Sequence, residues 1–145
     1  VLIAIDSLAA RDSSRLNTTI QLSSQGIHPG SGVGNHRVGI TEEVVGVPVL
    51  AIGVPTVVDA PTIVNDTMEN FLKAIAQSKE LKSVSRIFSE YSPREKYELI
   101  REVISPEMVN MYVTPKDIDA NIKAIGHILA RAIDMACENL QMVGI

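Results

Sequence analysis

The chain has 145 residues, a length that suits one domain with a sizeable buried core. A net charge of -4 and a pI near 5.3 exclude a basic nucleic-acid-binding surface, and a 46% hydrophobic content excludes a disordered composition. The single cysteine excludes an internal disulfide, and no apolar run approaches the roughly 20 residues that span a bilayer. Aromatic residues make up only 3%, so Ile, Val, Leu, Ala and Met must fill the core.

Val1-Leu2-Ile3-Ala4-Ile5 is an unbroken aliphatic run, which predicts a strand over 1–5 buried on both faces and closed by Asp6. The sequence opens inside this strand without a Met, so it reads as the C-terminal part of a single α/β domain whose N-terminal part is missing. Residues 7–16 predict two or three helical turns, and 18–22 a weakly alternating edge strand. The span 23–39 has five glycines and no periodicity, hence a long irregular loop of the kind that is usually functional or disordered. Thr41-Glu42-Glu43 predicts a capped helical turn whose acidic start suits the helix dipole.

The next strand is expected over 47–54, with Pro48 at its start because proline cannot donate to a ladder. A helix over 60–78 carries Ile63, Val64, Met68, Phe71, Leu72 and Ile75 on one stripe. Residues 79–92 form a polar connection with room for a short helix. Ser92-Pro93-Arg94-Glu95 is a capping box with proline in the first turn, and that helix should stop near Ser105-Pro106. An extended piece over 109–113 follows. Thr114-Pro115 then opens the longest helix, with Ile118, Ile122, Ile125, Leu129, Ile133, Ala136 and Leu140 at spacings of three and four. This alternation predicts an α/β layered domain, a mostly parallel sheet flanked by helices.

Two acids stand at predicted strand ends. Ligands of open α/β sheets sit beyond the carboxyl ends of strands, so Asp6 is either a general acid–base group, partly desolvated by the aliphatics before it, or the cap of a helix starting at Ser7. Asp59 precedes Ala60-Pro61 and a clear amphipathic helix, which makes it an N-cap first and a site residue second. The motif Gly30-Ser31-Gly32-Val33-Gly34-Asn35 has neither the strand before it nor the helix after it that a dinucleotide fingerprint needs. Its glycines can still bring backbone N–H groups close to a peptide or an oxyanion. His28 and His36 share that loop, a weak metal-ligand pattern. His127 reads as solvated and Cys137 as a small core residue.

Several stretches in order resemble the germination protease family of spore-forming bacteria: Ile3 to Arg11, Asn17 to Gln21, Gly26 to Asn35, Gly46 to Ala60, and Met111 to Asp119. The resemblance is near-continuous over 1–65, returns over 109–135 and is lost over 79–105. It implies an endopeptidase that degrades small acid-soluble spore proteins at germination, in the cytoplasm of the spore core. It also implies a fold similar to the hydrogenase-maturation peptidases, a homotetramer made as a zymogen, and an aspartic-type mechanism with two carboxylates. Asp6 matches one of the two; the other belongs to the N-terminal part of the family pattern, outside these residues. Around Asp6, the residues His28, Gly30, Ser31, Gly32, Gly34, Asn35 and Asp59 are expected to bind substrate or shape the cleft. No metal, cofactor, nucleic acid or membrane enters this reading. The rivals are a metal-dependent peptidase of related fold, with Asp6, His28 or Asp59 as ligands, and a non-catalytic α/β binding module.

Overall fold

A computed structural model describes residues 1–31 and 37–143. The chain divides into two units, Val1–Thr114 and Pro115–Ile145. The first unit is built on β1 (Leu2–Ala10), β2 (Gln21–Ser23), β3 (Val49–Asp59) and β4 (Tyr112–Val113). Its helices are α1 (Glu42–Val45), α2 (Ala60–Ile75), α3 (Lys82–Ser89), α4 (Pro93–Val103) and α5 (Pro106–Val109). The second unit is one helix, α6 (Ile118–Val143).

The fold is α/β with a mixed sheet. β3 pairs parallel with β1 along its length, and antiparallel with β2 and with β4. The expectation from the sequence is a mostly parallel sheet; these strands form a mixed one, with one long parallel pairing and two short antiparallel ones. β3 is the central strand and is buried almost throughout, which explains why it reads as a continuous apolar run. Val49, Ala51, Ile52, Val54 and Val58 form the core with Ala4 and Ala10 of β1, Leu72 and Ile75 of α2, and Ile100 of α4.

β1 is longer than the aliphatic run suggests. It continues through Asp6 to Ala10, and the helix expected over 7–16 is reduced to one 3-10 turn, Ser13–Arg15. Leu8, Ala9 and Ala10 have high helix propensity, but pairing with Pro55, Val57 and Val58 outweighs it. The register slips between Leu8 and Ala9, leaving Thr56 as the extra residue on β3. That bulge lets Pro55, which has no N–H to give, sit within a central strand. The Pro55 carbonyl accepts from Asn17 N at 2.8 Å, and the Thr56 carbonyl from Thr114 Oγ1 at 3.0 Å.

α2 opens as its sequence predicts, with Pro61 in the first turn, but ends at Ile75. Phe71, expected on its core stripe, is instead 61% exposed, while Leu72 and Ile75 are buried. α4 carries both bonds of the capping box, Glu95 N to Ser92 Oγ at 3.3 Å and Ser92 N to Glu95 Oε2 at 2.7 Å. Thr41 sits at the N-cap of α1 without a side-chain bond. Within the second unit Cys137 is exposed rather than a core residue.

Candidate active site

Asp6 lies in the middle of β1, not at its end, opposite Gly53 of β3, and Gln21 of β2 faces Gly53 from the other edge. The three positions are abreast, so Asp6 and Gln21 share a face of the sheet with nothing but a glycine between them. Leu8, two residues on and on the same face, folds over that gap. A Cβ at Gly53 would lie 2.3 Å from Leu8 Cδ1. The half-buried Asp6 carboxylate accepts from the Ser7 N–H at 2.9 Å through Oδ1. The Ser7 hydroxyl bonds the hydroxyl of Thr56 at the β3 bulge, which pins the strand immediately beside Asp6.

This face floors a cleft of about 380 Å³, a size within the usual range of ligand sites. It brings together Asp6, His28, Gly30 and Ser31, residues that the sequence reading drew from separate segments. Arg11, directly after β1, and Arg15, in the 3-10 turn, also line it. That turn is capped by Asp12, whose Oδ1 accepts from Ser14 N at 2.8 Å, and is tied to α2 through Ser13 N to Asp66 Oδ2 at 2.7 Å. Hydrogen bonds from Ser14, and then the charge of Arg15, hold the Asp12 carboxyl below its ordinary range. Among the described residues Asp6 is the one carboxylate that lines the cleft.

Sequence reasoning missed the two arginines because it placed 7–16 on a helix, where nothing ties Arg11 and Arg15 to Asp6. The signal that could have found them is their position just after an acid-bearing strand. Gln21 and Gly53 were missed because cross-strand register is not written in either strand alone.

Asp59 stands apart from this cleft. It ends β3 six residues beyond Gly53, about 20 Å along the strand at ~3.3 Å per residue. Its Oδ1 accepts from Thr62 N at 2.8 Å, the N-cap of α2, and its Oδ2 from the Tyr97 hydroxyl at 2.7 Å. Gly32, Gly34, Asn35 and His36 lie outside the described residues. Among the described residues no three His, Cys, Asp or Glu side chains gather as a metal site would require. Nor is any helix long and apolar enough to cross a membrane.

The sequence model of the germination protease family matches residues 1–93 and 76–141. The chain belongs to the germination protease family. It is 50% identical over 139 residues to the germination protease of Caldanaerobacter subterraneus subsp. tengcongensis, covering 95% of this chain and 43% of that protein. It is 43% identical to the germination protease of Clostridium perfringens strain 13 with the same coverage. It is 41% identical over 165 residues to that of Bacillus subtilis strain 168, covering 92% of this chain and 45% of the relative. The chain thus spans less than half the length of these curated relatives.

Proposed function

We propose that the full-length protein is an endopeptidase that degrades small acid-soluble spore proteins during germination, by an aspartic-type mechanism in which Asp6 is one of two carboxylates. The observation that carries this reading is the position of Asp6: half-buried at mid-strand, in a cleft, on a chain of the germination protease family. Two carboxylates that share a site hold one proton between them, because like charges in contact do not both ionise. One then takes a proton from water as the water oxygen bonds to the peptide carbonyl carbon. The other gives its proton, which reaches the amine nitrogen as the C–N bond breaks. Asp6 supplies one of these groups, and the second comes from outside the described residues.

The rest of the cleft supports peptide binding. His28, Gly30, Ser31, Arg11 and Arg15 line it together with Asp6, and Gly32, Gly34 and Asn35 are proposed as substrate-binding residues from the sequence alone. Asp59 supports the site from a distance by fixing the start of α2. The proposal extends to a zymogen, a homotetramer, a cytoplasmic location in the spore core, and a complete sheet that is mostly parallel, as in the hydrogenase-maturation peptidases.

The test is degradation of a purified small acid-soluble spore protein by the full-length protein and its Asp6→Asn variant, followed by gel electrophoresis. Asn fills the same volume and still accepts the Ser7 N–H bond, so the variant is expected to melt like the wild type and to cleave nothing. Wild-type cleavage by the folded variant overturns the role of Asp6. If that cleavage is also abolished by a chelator, a metal-dependent mechanism replaces the one proposed.

A further inference from the structure

His28 reaches the cleft from the outgoing limb of the loop after β2, and Gly39 stands beside it on the returning limb. The limbs are joined at an Ile27–Ile40 bridge whose backbone hydrogen bonds measure 3.0 and 2.7 Å. A Cβ at position 39 would lie 2.6 Å from both Cε1 and Nδ1 of His28. Real contacts of that kind do not occur, so the imidazole occupies the space that any side chain at 39 would fill. Gly26 and Gly30 have positive φ angles and are glycines for backbone reasons; Gly39 does not. A side chain at 39 would therefore meet the ring rather than the backbone, and the imidazole would have to move to make room for it.

We propose that Gly39 seats the His28 imidazole so that its N–H hydrogen-bonds the substrate carbonyl oxygen as water adds to the carbonyl carbon. His28 is then a catalytic residue and Gly39 a positioning residue; the inference rests on the peptidase reading above. In the addition step the water oxygen bonds to carbon, its proton goes to a carboxylate, and the carbonyl π pair moves onto oxygen. The imidazole N–H stabilises that oxyanion. When the C–N bond breaks, the pair returns to form the carbonyl, and the nitrogen leaves with a proton from the carboxylate pair. A neutral imidazole has the one N–H this needs, so the role requires no change of charge. An exposed histidine on an irregular loop would otherwise sample several rotamers, and a preorganised donor is worth more than one that must be ordered during the reaction.

The experiment measures kcat and KM of the full-length protein on a purified small acid-soluble spore protein. It compares wild type with Asp6→Asn, His28→Ala, His28→Gln, Gly39→Ala and the double variant His28→Ala/Gly39→Ala, each checked for folding by thermal melting. His28→Ala is expected to lower kcat roughly 100-fold, the cost of one oxyanion donor, with KM little changed. His28→Gln, which keeps an N–H donor, recovers part of the loss. Gly39→Ala lowers kcat by displacing the ring, and adds no further loss once His28 is alanine. Wild-type kcat in His28→Ala overturns the inference, as does a Gly39→Ala cost that is the same with and without the imidazole. Should Gly39→Ala fail to fold, the alanine and glutamine variants of His28 decide the matter. An inactive Asp6→Asn beside an unaffected His28→Ala sinks this inference and leaves the peptidase reading standing. An active Asp6→Asn overturns the role of Asp6 and leaves the endopeptidase activity standing, while the effect of His28→Ala still decides this inference.

Discussion

At the scale of single residues, Asp6 and Asp59 show how one side-chain type is given two occupations by its surroundings. Asp59 spends both carboxylate oxygens on structure, capping α2 through Thr62 and holding Tyr97 of α4. Asp6 takes a single short-range bond from its own neighbour, Ser7, and faces a cleft. The Tyr97 phenol is pushed up to about 12, first by burial and then by its bond to the Asp59 carboxylate and that group's charge. Both effects favour the neutral phenol in the folded state. Since the folded value exceeds the ordinary 10.0, this contribution is intact below pH 10 and is lost as pH rises from about 10 towards 12. Urea unfolding at a series of alkaline pH values should therefore show stability falling across that window. Tyr97→Phe should flatten that part of the curve, and an unchanged slope would remove Tyr97 as its source. The N-cap role of Asp59 was legible in the sequence because a cap is a matter of local spacing. The Tyr97 bond, 38 positions away, was not.

At the scale of elements, α4 and β1 mark the two extremes of legibility. α4 starts where Ser92-Pro93-Arg94-Glu95 says it should, since the capping box is closed by residues three apart and needs no partner element. It is then docked on α2 by the Lys96–Glu69 ion pair at 2.7 Å and by Ile100, which is 1% exposed. Truncation of a buried Ile leaves a cavity that its neighbours fill only in part. Ile100→Ala is accordingly expected to cost about 2–5 kcal/mol of stability in chemical denaturation. A loss well under 1 kcal/mol would mean that α4 is not anchored through this side chain. β1, by contrast, is expected from the sequence to end at Asp6, because an acid followed by Ser-Leu-Ala-Ala looks like a helix start. Its true end is set by the parallel pairing with β3, which carries Ala9 and Ala10 into the sheet past the bulge at Thr56. Phe71 shows the same limit on α2: the stripe predicts that one face is covered but not how far the cover extends.

At the scale of the whole molecule, the cleft is assembled from β1, the 3-10 turn after it, β2 and the following loop, elements that meet only because β3 lies between β1 and β2. Ile3 and Ile5 of β1 are 39% and 55% exposed, on the face of the strand opposite Asp6. The curated relatives are more than twice as long as this chain. In the two-carboxylate mechanism proposed above, Asp6 in this cleft works with a second carboxylate supplied by the rest of the full-length protein. A purified polypeptide of residues 1–145 is therefore expected to leave a small acid-soluble spore protein intact under conditions in which the full-length protein degrades it. Cleavage by the 145-residue polypeptide would mean that its own groups suffice.

The sequence by itself determined the family, through several uninterrupted motifs in order, and the α/β class, through runs whose periods differ between strand and helix. It also determined where α2 and α4 begin, because caps are carried by residues close in the chain. It did not determine which strand is covered on both faces: that burial is expected of residues 1–5, where Ile3 and Ile5 are exposed, and it belongs instead to the central strand β3. Only the tertiary structure decided that Asp6 is mid-strand, that Arg11 and Arg15 join it, that Asp59 is far away, and that Gly39 makes room for His28. Each of those depends on register between segments distant in sequence. A shift of one residue in such a pairing turns a side chain to the opposite face, and no local pattern records which register the packed core selects.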